Sequence, residues 1–172
     1  MMMNRWLATA MVCMCAVVAG AAELETYSNK ETDFTLKYPG TWEKKDRTSG
    51  AAVTLLAPKG DGKEAFRANL TVVEQDIPSD TDLKKFSDAS LSVMDKLLKG
   101  YKELGRTEIS LGATKAIQVI YTYSFEDFEL KSVLVLTVSG KHGYAITGAA
   151  ETSTFDKNKT AFDEIVKSFE PH

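Results

Sequence analysis

Residues 115–150 constrain the fold more than any other part of the chain. Three apolar, β-branched runs follow one another there, Ala116–Phe125, Leu130–Val138 and Tyr144–Thr147, separated by Glu126-Asp127 and by Gly140-Lys141-His142-Gly143. Short polar and glycine-bearing connections of this kind join antiparallel hairpins. Side chains alternate along a strand, so Ile117, Val119, Tyr121, Tyr123 and Phe125 share one face. The middle run is apolar on both faces, with Leu134, Leu136 and Val138 on one and Val133 and Val135 on the other. A strand without a polar face needs cover above and below. The stretch therefore predicts the centre of an antiparallel sheet with a helix on each side.

The flanking chain supplies the rest of such a sheet. Phe34, Leu36 and Tyr38 alternate inward, Pro39-Gly40 suits a type II turn, and Trp42 opens a second short strand facing the core. Strands are predicted over 52–57 and 66–74, joined by the charged 58–63 loop. Gly60 and Gly62 in that loop have no helix opening behind them, so the pattern is not a phosphate cradle. Ser79, Asp80 or Thr81 can cap a helix that ends at Gly100. Within it Leu83, Phe86, Ser90, Met94, Leu97 and Tyr101 follow three-or-four spacing, and Leu91, Val93 and Leu98 widen the stripe, which is expected to pack on the sheet. A strand over 107–111 leads into the meander. Ala145, Gly148, Ala149 and Ala150 are small enough for a helix to approach closely, and a closing helix over 155–169 aligns Phe155, Phe162, Ile165, Val166 and Phe169. Eight predicted strands and two helices make an α+β domain, an α-β-α sandwich with a central antiparallel sheet and helices on both faces.

The first residues belong to a different problem. Arg5 gives a positive start, Trp6–Val18 is apolar, and Ala19-Gly20-Ala21 places small residues where signal peptidase cuts. The apolar run falls short of the ~20 residues that span a bilayer. Cys13 and Cys15 lie inside it and lack the Leu-small-small approach of a lipoprotein signal. The reading is a secretory signal over 1–21, cleaved after Ala21 with Ala22 as the near alternative, then a polar lead-in over 22–33 anchored by Leu24 and Tyr27, and one domain over 34–170. The product is expected to be soluble, periplasmic or secreted, and not membrane-spanning. It carries no cysteine, so packing alone holds it together. With a net charge of −3 over 172 residues, nothing in the charge balance favours nucleic acid or anionic lipid as a partner.

Candidate chemistry is sparse. His172 is the last residue, and His142 sits in the Gly140–Gly143 hairpin tip, where a solvated turn residue is expected. A zinc site built on His and Cys needs more such ligands than these, and no glycine-framed nucleophile elbow accompanies His142. Acids gather at Glu126, Asp127 and Glu129 and at Asp76, Asp80 and Asp82, without the spacing of a calcium loop. Turns and helix starts enrich acids, so both groups read as solvated. No catalytic, cofactor-binding or metal-binding residue is assigned, no cofactor is expected, and the chain reads as a non-enzyme.

The pattern Phe34-x-Leu36-x-Tyr38-Pro39-x-x-Trp42, the meander, and the closing Phe162…Ile165-Val166-x-Ser168-Phe169 together resemble the PsbP-like superfamily, closest in style to its bacterial DcrB-like branch. The resemblance covers nearly all of residues 26–170. It implies a compact α-β-α sandwich without established catalytic residues and, in the photosynthetic branch, an extrinsic subunit supporting calcium and chloride retention at a manganese cluster. Residues 22–33 do not resemble the docking segment of the plant protein, so photosystem binding is not carried over. The function implied is that of a non-enzymatic periplasmic adaptor or accessory protein binding an envelope protein or complex. The alternatives are a small-ligand or lipid-binding domain with a pocket under the 82–100 helix and, at a distance, a hydrolase. An unexpectedly large apolar cavity favours the ligand; a filled core with an exposed aromatic patch favours the protein partner.

Overall fold

A computed structural model describes residues 23–29, 31–60 and 66–172. The expected leader and part of the 58–63 loop lie outside them. The described chain forms β1 (Leu24–Ser28), β2 (Phe34–Pro39), β3 (Glu43–Asp46), β4 (Val53–Leu56), β5 (Asn69–Asp76), α1 (Leu83–Leu97), β6 (Lys102–Leu111), β7 (Thr114–Phe125), β8 (Phe128–Ser139), β9 (His142–Glu151), α2 (Phe155–Lys167) and β10 (Glu170–Pro171). Seven strands make an antiparallel sheet in the order β3-β4-β5-β9-β8-β7-β6, and β1-β2-β10 make a smaller one.

β8 lies inside the large sheet, pairing Leu134 with Val119 of β7 and with Thr147 of β9. Its two apolar faces meet different helices. Leu134 and Leu136 join Phe86 and Leu91 of α1 in one cluster. Val133 and Val135 join Phe162 and Ile165 of α2 in another. The chain is thus an α+β sandwich with one helix on each face, as the two-sided strand requires.

The face under α2 is the better covered. The small sheet lies beside that helix, and Phe34 of β2 stacks on Phe169 at 5.1 Å between ring centroids while meeting the edge of Tyr144 at 5.9 Å. Trp42 is buried and stands edge-on to Phe162 at 6.0 Å. Each such ring contributes about 1.5–3 kcal/mol by leaving water.

Several elements differ from the sequence reading. The polar lead-in carries β1, which pairs along β2 from Leu24↔Pro39 to Ser28↔Thr35. Tyr27 is its buried anchor, whereas Leu24 remains 55% exposed. β6 begins at Lys102, five residues before the expected start, as an edge strand whose outer half is charged and exposed. Asp82 caps α1, accepting a hydrogen bond from Lys85 N at 2.7 Å, in place of Ser79, Asp80 or Thr81. Phe125 shares the face of Tyr121 but lies at the hairpin end, 51% exposed.

Candidate functional site

A helix is ~10 Å across, and neighbouring strands lie ~4.8 Å apart. One helix therefore covers two or three strands of a seven-stranded sheet. α1 packs mainly on β8 and β7 and reaches β9 at Gly143, under Phe86, so much of the sheet toward β5 is left without a helix directly above it on this face. The result is a groove of about 510 Å³ between α1 and the sheet. Phe86, Met94 and Leu98 form one wall, and Leu134, Leu136 and Ala145 form the floor.

The groove is uncharged. Its polar members are Gln75, Ser90, Tyr121 and Thr147, with no acid or base among the lining residues. Burial pushes the Tyr121 phenol well above its ordinary value, so it stays a neutral hydroxyl there. Val93 lines the rim at 53% exposure, and Leu97, one turn further on, is 75% exposed. The apolar stripe read from the sequence is thus wider than the part that packs: α1 buries Phe86, Ser87 and Leu91, while Val93 and Leu97 face water.

The acids considered from sequence do not assemble into one site. Glu126 and Asp127 are exposed at the β7–β8 turn, and Glu129 accepts a hydrogen bond from Ser124 Oγ at 2.7 Å. Asp80 pairs with Lys85 at 3.2 Å, and this contact holds its carboxyl below the usual range. Asp82 serves as the helix cap. Asp76 lies at the far end of β8 from Glu126 and Asp127, a strand of 12 residues away, or roughly 40 Å.

His142 corrects its expected place as a solvated turn residue. The β8–β9 turn is Gly140-Lys141, so His142 begins β9 and pairs with Ser139 and Asp76. Its side chain is only 25% exposed. Nε2 lies 2.9 Å from Asp33 Oδ2, and Nδ1 lies 3.4 Å from both Glu74 Oε1 and Asp76 Oδ1. These groups edge a recess of about 370 Å³ that also includes Arg47. Asp33, just before β2, and Glu74, on β5, are far from His142 along the chain, so the sequence did not point to them. The two-residue Gly140-Lys141 turn was the available signal that His142 belongs to the ladder.

The DcrB family profile matches residues 33–168. No match was found among curated proteins. Solved structures share the fold. The solution structure of the cyanobacterial PsbP (CyanoP) from Synechocystis sp. PCC 6803 superposes with a TM-score of 0.67 at 19% identity, covering 94% of this chain and 99% of that one. LpqN of Mycobacterium tuberculosis, described as involved in cell envelope biogenesis, gives 0.65 at 17% identity over 79% and 81%. The Ran-binding protein Mog1p of Saccharomyces cerevisiae gives 0.60 at 10% identity over 88% and 96%. At these identities the structures establish a PsbP-like architecture, and on the family match the chain belongs to the DcrB family.

Proposed function

We propose that this chain is a non-enzymatic accessory protein that binds an envelope protein partner through the groove beside α1. The observation that carries this reading is the uncharged groove with the exposed Val93 on its rim and the exposed Leu97 one turn further along the same side of α1. An open apolar strip takes aliphatic or aromatic side chains from a partner surface, and it gives an ionic headgroup no counter-charge. Among the described residues no helix is long and apolar enough to cross a membrane. The leader read at 1–21 supports a periplasmic or secreted location. Protein binding and envelope work are both compatible with the fold, since Mog1p is described as Ran-binding and LpqN as acting in envelope biogenesis.

Val93→Glu and Leu97→Glu place a charge at the rim without disturbing buried packing. Each is expected to abolish capture of the partner from the native envelope fraction while thermal stability stays within about 0.5 kcal/mol, as for other surface changes. Undiminished capture by both variants contradicts the assignment of the surface.

The groove volume favours one second reading, an uncharged apolar ligand, because it falls within the roughly 300–1,000 Å³ of small-molecule sites. Native mass spectrometry of the gently purified protein tests it. A stoichiometric adduct, lost on Met94→Trp, supports the ligand, and a bare protein mass supports the partner surface.

A further inference from the structure

We propose that Asp33, Glu74 and His142 bind a divalent transition-metal ion. One ligand atom from each lies within 4.8 Å of the others. Donors held at about 2.1 Å from one ion stand roughly 3.4 Å apart in a tetrahedron, so side-chain rotation closes the set without moving a strand.

The backbone holds the three in place. Asp33 precedes β2, and its carbonyl accepts hydrogen bonds from the Tyr144 hydroxyl at 3.0 Å and from His172 N at 2.7 Å. Its own N–H donates to Glu74 Oε1 at 3.4 Å. Glu74 and His142 stand on neighbouring strands whose register is fixed by Glu74↔Tyr144 and Asp76↔His142.

Glu74 supplies an independent observation. Its side chain is only 14% exposed, and among the described residues its ion-pair partner is His142, which is charged only when protonated. A largely buried carboxylate is costly unless paired or bound to a metal. Asp76, 92% exposed, lies at the same 3.4 Å from His142 Nδ1 as Glu74 and adds negative charge beside the three ligands. Arg47, the cation in the same recess, is paired with Glu31 at 2.8 Å. An imidazole nitrogen with carboxylate oxygens selects zinc-like ions over calcium and magnesium. Three protein ligands leave a coordination position for water or for a group brought by a partner.

The test is titration of Zn²⁺ into the purified protein carrying Cys13→Ser and Cys15→Ser, so that no thiolate competes. The expected result is saturable binding of one ion, undisplaced by equal concentrations of Ca²⁺ or Mg²⁺, with a raised Tm. Glu74→Gln and His142→Ala should each weaken it at least about tenfold. The near-isosteric Glu74→Gln keeps the test informative should His142→Ala not fold. His172→Ala should leave it unchanged. No saturable binding, equal binding by Glu74→Gln, displacement by Ca²⁺, or a loss confined to His172→Ala overturns the proposal.

Discussion

Phe162 of α2 stands over Gly148 of β9 so closely that a Cβ on Gly148 would lie 2.7 Å from the Phe162 Cγ. On the opposite face, a Cβ on Gly143 would lie 2.5 Å from Phe86 Cε2 and 2.8 Å from its Cζ. Both helices seat a phenylalanine on a glycine of the same strand, and the strand's alternation sends the two contacts to opposite faces.

The contacts differ in how they can yield. Cγ is one bond from the Phe162 Cβ, so Gly148→Ala must displace α2 itself. Gly143→Ala meets the far edge of the Phe86 ring, which can swing toward the groove. Overpacking of this kind costs about 1–3 kcal/mol. Gly148→Ala is expected near the top of that range and Gly143→Ala near the bottom, by urea unfolding. Equal costs would contradict the geometry.

Trp42 is 7% exposed, and Trp6 is the chain's other tryptophan. In a chain that starts at Ala22, Trp42 reports alone. Its emission should be blue in the native state and move red on unfolding, and Trp42→Ala should destabilise by ~3–5 kcal/mol. Native emission like that of free tryptophan would contradict its packing against Phe162.

Burial, together with its hydrogen bond to Glu25 at 2.7 Å, pushes the Tyr38 phenol up to about 12. Unfolded tyrosine titrates near 10. Between these values the folded state holds a proton that the unfolded state releases. The stabilisation is therefore fully present below about pH 10 and is lost as pH rises toward 12. The urea midpoint should fall across that window, and Tyr38→Phe should reduce the slope. Tyr121 and Tyr144, also raised by burial, keep part of it.

Intact mass of the protein from the envelope fraction tests its export. A chain starting near Ala22, without lipid, is expected. Retention of residues 1–21, or a lipid mass on Cys13 or Cys15, would contradict the secretory reading.

What could be read from sequence follows how each side chain meets the core. β8 was legible because both its faces are apolar, and α2 because Phe155, Phe162, Ile165 and Val166 all turn inward. β1 was not, since Tyr27 is its one buried residue and a single inward residue has no period. The outer half of β6 was hidden by Lys102, Glu103 and Arg106, charges that suit an edge strand and resemble a loop. The groove is a matter of sheet width against helix width, and no local pattern records that. The cluster at His142 joins β5, β9 and the start of β2 through register, and Asp33 and His142 are far apart along the chain.

The central claim is that partners meet the α1 side of the sheet. Site-specific photocrosslinking in intact cells tests it most directly, with a photoreactive phenylalanine at Leu97 of α1 and, as controls, at Leu104 of β6 and Phe125 at the end of β7, exposed apolar positions that are not on the helix. The account predicts a discrete adduct to another envelope protein from position 97, abolished by Val93→Glu, and none from positions 104 or 125. Adducts from 104 or 125 with none from 97 would contradict it.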